Sequence, residues 1–218
     1  MRFGPVPVQE AQGAILAHSL GVEGGRIRKG RVLDAWDVER LAAAGYSDVT
    51  VARLEPGDMG EDDAATAIAA ALVPEPGAAG VTLTKATTGR VNLYAEGPGV
   101  LGLDVEAIER LNRIDPMITL ATLPPFARTT ARRMLGTVKI ISYGVPRQAV
   151  EAAVEHARGA LRVHPVRMKA AALIQTDTGQ GPGKGETAMR GRLEALGMDL
   201  AATRTVAHAT DDIARAVA

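Results

Sequence analysis

The chain has no cysteine among its 218 residues, so it forms neither a disulfide bond nor a thiolate metal site. Aromatic residues make up only 3% of the chain, so its cores must be built from Ala, Val, Leu and Ile. No apolar run approaches the roughly 18 residues that span a bilayer, and the first residues lack the long apolar segment of a signal peptide. These absences predict a soluble, cytoplasmic protein with no membrane partner.

An excess of charge of either sign is also missing. Lys and Arg number 25, Asp and Glu number 25, and the formal net charge is +0. Because nucleic-acid binding depends on clustered positive charge, this balance argues against a nucleic-acid partner, although it leaves room for a local basic pocket. The content of hydrophobic residues (46%) and charged residues (23%) is that of an ordinary globular protein.

Apolar patterning and turn signals divide the chain into three modules: an N-terminal module (residues 1–57), a middle module (58–166) and a tail (167–218). In the N-terminal module, Asp34 is predicted to cap a helix that carries Leu41 on its apolar face and stops before Gly45. Trp36 is interpreted as an anchor between this helix and a sheet. The first two modules are predicted to be mixed α/β.

Strand and helix patterns alternate along the middle module. The predicted strands lie at 81–84, 89–95, 100–103, 118–123 and 136–145, and the predicted helices lie at 105–112, at 127–135 and after Pro146. Arg128, Arg132 and Arg133 have helical spacing, so they form either a charged outer face or an anion site. The acidic group Asp58, Glu61, Asp62 and Asp63 is either a solvated helix start or a metal site.

The tail has the pattern of a parallel α/β unit. Its apolar run 170–174 ends at Gln175-Thr176-Asp177, and a loop follows with glycines at 179, 181, 183 and 185. A helix carrying Met189, Leu193 and Leu196 stops at Gly197, a strand covers 200–206, and Thr210 is predicted to cap a last helix. This order predicts the first part of a doubly wound parallel α/β domain. Ligands of such domains bind at the carboxyl ends of the strands, which here means residues 176–185.

About fifty residues are only a third of a domain of roughly 100–150 residues. Two strands with helices cannot bury both faces of a parallel sheet. Two interpretations follow: either the chain is a fragment of a longer protein, or the tail packs on the rest in an unusual way.

The glycine-rich loop does not match a Walker loop, because Gly183-Lys184 is followed by Gly185 rather than Ser or Thr. Gly183, Gly185 and Ala188 fit a dinucleotide pattern, which leaves a nucleotide-dependent oxidoreductase as one alternative. Backbone amides at the helix start, beside Lys184, favour an anion such as phosphate. The other interpretation is a surface loop whose glycines provide only flexibility. Asp177 either holds a cation or forms an Asx turn.

Six short segments, in three regions of the chain, carry a family resemblance. In the tail they are Ala-Ala-Leu-Ile-Gln-Thr-Asp-Thr-Gly and Lys-Gly-Glu-Thr-Ala-Met. Within residues 26–53 the segment is Arg-Ile-Arg-Lys-Gly-Arg-Val-Leu. In the middle module they are Gly-Arg-Val-Asn-Leu, Ile-Thr-Leu-Ala-Thr-Leu-Pro and Thr-Val-Lys-Ile-Ile. The chain resembles molybdopterin-binding proteins related to the molybdopterin molybdenumtransferase of molybdenum cofactor biosynthesis. The family's later glycine-rich segment and aspartate–proline motif have no counterpart, so the resemblance implies truncation within the molybdopterin-binding domain.

The resemblance implies a pterin pocket lined by the strand–loop–helix of the tail. The cofactor-binding residues expected from it and from the helix-start argument are Thr176, Asp177, Gly179, Lys184, Gly185 and Glu186. Thr176 and the loop amides would hold pterin or phosphate oxygens, and Asp177 or Glu186 would help to place Mg²⁺, which prefers oxygen ligands. No catalytic residue is predicted.

The leading hypothesis is a protein that binds molybdopterin or its nucleotide form during molybdenum cofactor biosynthesis or delivery. The resemblance implies a molybdotransferase-like activity for a full-length protein, but none for this chain alone. It also implies a homo-oligomer with molybdate or a molybdoenzyme as further partners. The alternative is a non-catalytic interaction or scaffold protein for a molybdoenzyme system, which uses residues 1–166 for dimer contacts.

Overall fold

The computed structural model describes residues 1–177 and 185–218 and shows a mixed α/β protein. The strands are β1 (Arg2–Pro7), β2 (Ile15–Leu16), β3 (Leu20–Val22), β4 (Gly25–Ile27), β5 (Asp48–Arg53), β6 (Asp58–Gly60), β7 (Val81–Leu83), β8 (Arg90–Ala95), β9 (Gly99–Leu103), β10 (Ile118–Thr122), β11 (Arg128–Thr129), β12 (Met134–Ile140), β13 (Gly144–Pro146), β14 (Leu161–Pro165), β15 (Ala170–Asp177) and β16 (Asp199–Ala207). The helices are α1 (Ala35–Ala43), α2 (Glu61–Leu72), α3 (Pro76–Ala79), α4 (Val105–Asn112), α5 (Arg147–Ala157), α6 (Gly185–Glu194) and α7 (Thr210–Val217).

The N-terminal module is built around β5, which pairs antiparallel with β1 on one side and with β2 on the other. Its own cluster of buried side chains includes Leu16, Leu33, Leu41 and Val51. The predicted start of α1 is confirmed: the Asp34 side chain accepts from the Asp37 amide, and the Asp37 side chain accepts from the Asp34 amide.

The interpretation of Trp36 as a buried anchor is wrong. Its side chain is 59% exposed, because the buried stripe of α1 runs through Asp37 and Leu41, one position further along. The indole instead carries the Arg40 guanidinium 4.3 Å from its ring centroid, as residues one helical turn apart allow.

The middle module contains two main antiparallel sheets, besides the antiparallel pair of β6 and β13. The larger has the strand order β10-β12-β8-β7 and the smaller has the order β11-β9-β14. Helix α2 packs on β8 and β12 and also on α5, so one layer of helices covers the larger sheet. The stripe Val150, Ala153 and Ala157 of α5 is buried, as its helical spacing predicts. This module has its own core, which is separate from that of the N-terminal module.

The predicted helix at 127–135 is wrong. Arg128 lies in β11, and Arg132 takes a left-handed φ of 62° that an α-helix does not allow. The Arg132 amide donates to the Ala95 carbonyl at 2.8 Å, so pairing with a distant strand overrides the local pattern. Arg128, Arg132 and Arg133 therefore do not share a helix face. The predicted strand 136–145 is also divided, because β12 ends at Ile140 and β13 begins at Gly144.

In the tail, β15 and β16 pair in parallel, from Ala170 opposite Asp199 to Asp177 opposite Ala207. Helix α6 connects them and α7 follows, so the predicted strands and helices are confirmed. Helix α7 begins at Thr210 with Ala209 as its N-cap, which corrects the predicted cap at Thr210. Every residue of β15 and β16 is at least partly exposed, whereas a parallel sheet is normally covered on both faces.

No helix in the described ranges 1–177 and 185–218 is both long enough and apolar enough to cross a bilayer.

Candidate functional site

The carboxyl ends of β15 and β16 lie at one edge of the tail. Thr176 is the penultimate residue of β15, and His208 directly follows β16. Thr176 Oγ1 and His208 Nδ1 are 3.0 Å apart, so a hydrogen bond joins the two strand ends. The sequence places these residues 32 positions apart and gave His208 no role. The parallel register of the two strands brings His208 close to Thr176, because Thr176 stands opposite Val206, two residues before His208.

Gly185 is the first residue of α6, and the structure gives it a more specific role than flexibility. A Cβ atom at this position would lie 2.7 Å from Gln175 Oε1, closer than real Cβ contacts come. The start of α6 therefore packs directly against the Gln175 side chain near the end of β15, and a larger residue at position 185 would require that side chain to move. Amides at the start of this ten-residue helix face the same edge as the strand ends.

The two predicted metal ligands, Asp177 and Glu186, flank the loop. Asp177 closes β15, and Glu186 lies in the first turn of α6, where it accepts from Arg190 at 2.8 Å. Gly179 and Lys184, predicted from the loop, lie outside the described residues, as do Gly181 and Gly183. Among the residues that the structure does describe, no three His, Asp or Glu side chains cluster as a metal site. Mg²⁺ would thus depend on one or two carboxylates together with ligand phosphates, which is a common arrangement for this ion.

The second helix at this edge is acidic in its first turn. Asp211 and Asp212 open α7, and Asp212 is paired with Arg215. These carboxylates offset the positive end of the α7 dipole, whereas the start of α6 has only Glu186, which Arg190 already neutralises. The edge is therefore suited to hold an anion against α6, through hydroxyl, amide and imidazole groups.

The acidic group near the start of α2 is engaged in internal contacts instead of forming a metal site. Asp58 lies 2.8 Å from the Met1 amino group, and Asp62 Oδ1 accepts from the Gly89 amide at 2.6 Å. Glu61 is 3.8 Å from Lys139 Nζ. Burial raises the pKa of Glu61, and the nearby Lys139 charge only partly opposes this. The interpretation as a helix start fits these contacts better than a metal site.

Comparison with known proteins reaches only the N-terminal module. Residues 5–53 match a domain family. Its description is "Domain of unknown function (DUF8806)", and the match covers the end of β1, β2 to β5 and α1 but none of the tail. No curated protein and no solved structure matches the chain.

Proposed function

We propose that residues 167–218 are the opening part of a doubly wound parallel α/β domain, and that the carboxyl edge of β15 and β16 binds molybdopterin or its nucleotide form. One observation supports this most directly: two parallel strands joined by a helix end side by side, with Thr176 hydrogen-bonded to His208 and α6 starting against Gln175. Ligands of open parallel sheets bind at this edge.

In this proposal the residues of the edge divide into two roles. The Thr176 hydroxyl and the amides at the start of α6 hold pterin or phosphate oxygens, since these are neutral donors aimed at an anion. Mg²⁺, held by Asp177 and Glu186, would neutralise the phosphate charge of the bound cofactor. Binding of Mg²⁺ then requires Glu186 to release Arg190, because the Glu186 carboxylate would bind Mg²⁺ more weakly while it stays paired with the Arg190 guanidinium.

The proposed biological role is handling of the pterin during molybdate insertion or delivery in the cytoplasm. It rests on the family resemblance of the tail and of the segments before it. Molybdate or a molybdoenzyme is the proposed further partner, and a homo-oligomer is the proposed assembly.

The experiment is to purify the protein and measure the bound pterin by oxidation to a fluorescent product. Asp177→Ala should lower the pterin content tenfold or more, since charge-assisted contacts contribute about 1.5–3 kcal/mol. Thr176→Val keeps the side-chain shape and should lower it about threefold to tenfold. Thr203→Val, in the middle of β16 opposite Leu173, is the matched control and should change nothing. Wild-type protein that carries no pterin and has no affinity for one would refute the proposal.

A second candidate function, an interaction or scaffold protein, is favoured by the surface of the N-terminal module. Phe3, Val32 and Trp36 are 58%, 59% and 59% exposed, on a module with its own core. Large apolar side chains mark a contact surface where they form one contiguous patch, which this function requires of Phe3, Val32 and Trp36. If they form a dimer contact, Trp36→Gln should shift the molar mass seen by light scattering from dimer to monomer, while a wild-type monomer would remove the support for this function.

A further inference from the structure

The outer face of the smaller sheet of the middle module carries an unusual set of side chains. In β14, Leu161 and Val163 point into the core, so Arg162 and His164 point outward. Arg162 stands opposite Gly102 of β9, and His164 stands opposite Val100, which is also opposite Arg128 of β11. Because directly opposed residues share a face, Arg128, Arg162 and His164 lie on one face of this sheet, with Arg162 and His164 beside Gly102.

Gly102 is the floor of a hollow on this face. A Cβ atom there would lie 2.5 Å from His164 Nε2 and 3.3 Å from Arg162 Cγ. The hollow has a volume of about 390 Å³, and its lining also includes Leu103, Asp104, Phe126, Gly159 and Ala160. This volume falls within the usual range of small-ligand pockets, roughly 300–1,000 Å³.

Phe126 forms one wall of the hollow, in a costly conformation. Its φ is 62°, in the left-handed region that favours glycine, and its side chain is 82% exposed. Two backbone hydrogen bonds hold it: the Phe126 amide donates to the Leu101 carbonyl at 2.8 Å, and the Leu101 amide donates to the Ala127 carbonyl at 2.9 Å. The backbone thus fixes an aromatic ring in water beside the hollow, where it can stack on a planar ligand.

The basic side chains of this face are available to a ligand, although the Asp104 carboxylate also belongs to the lining. Within the described part of the chain, Arg128, Arg162 and His164 make no ion pair and no side-chain hydrogen bond. Asp104, the acid of the lining, is already engaged, since its Oδ1 accepts from the Ala107 amide at 2.9 Å as the N-cap of α4. A phosphate would therefore meet unpaired basic groups next to an exposed ring.

We propose that this hollow is a second ligand site, which binds a small planar heteroaromatic ring bearing a phosphate, as in a nucleoside monophosphate. The ring stacks on Phe126 at the side of the hollow, and the phosphate is held by Arg162 with His164 beside it. This site goes beyond the proposed function, because it is built from β9 and β14 and uses no residue of the tail.

The test is calorimetric titration of the full chain with guanosine 5′-monophosphate. Arg162→Gln should weaken binding at least tenfold, because charge-assisted contacts contribute about 1.5–3 kcal/mol. Phe126→Asn removes the ring but tolerates the left-handed backbone, and should weaken binding roughly fivefold or more through lost stacking. Gly102→Ala should abolish binding, while circular dichroism stays native because the His164 side chain can move aside. Arg158→Gln, an exposed arginine outside the lining, is the control.

Guanosine and inorganic phosphate should each bind more weakly than the nucleotide, since each supplies half of the contacts. Absence of nucleotide binding at millimolar concentration, or equal binding by wild type and Gly102→Ala, would overturn the proposal. So would binding of a single-stranded oligonucleotide but not of the mononucleotide. Thr176→Val should leave nucleotide binding unchanged. If this substitution removes nucleotide binding, the nucleotide binds at the tail and the proposed second site is wrong. That conclusion does not depend on the pterin content of the protein.

Discussion

The Tyr143 hydroxyl donates a 2.8 Å hydrogen bond to the Ala17 carbonyl, across 126 positions of sequence. Tyr143 belongs to the middle module and Ala17 to the N-terminal module, so this contact links two parts that have separate cores. The backbone of Tyr143 also accepts from the Glu61 amide at 3.1 Å. Removal from water raises the pKa of Tyr143, and the nearby Glu61 charge adds to the effect, so the hydroxyl stays protonated as a donor.

Tyr143→Phe should lower the free energy of unfolding by about 0.5–1.5 kcal/mol, because it removes this hydrogen bond and keeps the ring. Urea denaturation followed by circular dichroism measures the change. The control is Tyr94→Phe, whose hydroxyl makes no hydrogen bond within the described residues. Equal effects of the two substitutions would show that the Ala17 contact adds nothing.

Asp58→Asn should flatten the pH dependence of stability. Hydrogen bonds from the Met1 amino group, and next from the Glu55 amide, lower the pKa of Asp58. The contribution of Asp58 to folding stability is therefore present above the pKa of the unfolded state, and it is lost as pH falls through the pKa of the folded state. The pKa of the Met1 amino group is raised, chiefly by its hydrogen bond with Asp58. The contribution of the Met1 amino group to folding stability is therefore present below the pKa of the unfolded state, and it is lost as pH rises through the pKa of the folded state.

The loss of stability in Asp58→Asn should therefore be largest between about pH 4 and pH 8, and should shrink on both sides. Thermal unfolding across this range is the measurement. Glu109→Gln, which removes one partner of an exposed pair with Arg113, is the control and should leave the profile unchanged. A difference that is constant from acid to alkaline pH would contradict the assignment.

Gly89→Ala should destabilise the protein by more than the strain of its backbone alone, which is about 1–3 kcal/mol. Gly89 has a φ of 69°, and a Cβ atom would lie 2.7 Å from both Ile140 O and Glu61 Oε2. Gly24→Ala is the matched control, because Gly24 has a φ of 77° but no neighbour within 4 Å. Denaturant unfolding measures both losses of stability, and the amount by which the loss in Gly89→Ala exceeds the loss in Gly24→Ala is due to the clash. Equal losses would mean that the turn moves freely away from α2.

Asn112→Ala should cost roughly 1–3 kcal/mol of stability, because two partly buried hydrogen bonds are lost together. The Asn112 side chain donates to the Leu120 carbonyl at 2.9 Å and accepts from the Leu120 amide at 2.8 Å, so it fastens the end of α4 to strand β10. Asn112→Asp should be at least as harmful, since a carboxylate facing the Leu120 carbonyl has no proton to donate. If Asn112→Asp is as stable as wild type, the reciprocal pairing is not formed.

Much of the fold could be predicted because local signals agreed with the tertiary structure. Helix α1 starts at Asp34 as its capping pattern predicts, and the parallel order of the tail follows from its alternation of strand and helix. Prediction failed at 127–135, where the backbone of Arg132 follows its pairing with Ala95 instead of its helical spacing. At the candidate site, Thr176 and Asp177 were predicted from the strand end, but His208 was not, because only register brings it to Thr176.

By itself, the sequence determined the features that depend on neighbours a few positions away: the absence of disulfides, the cap of α1 and the left-handed glycine that ends the helical turn at Gly197. Only the tertiary structure decided which distant groups meet. Thr176 meets His208, and Phe126 lines the same hollow as Arg162 and His164, because strand register brings these residues together. Register depends on the packing of whole strands, which no short stretch of sequence encodes.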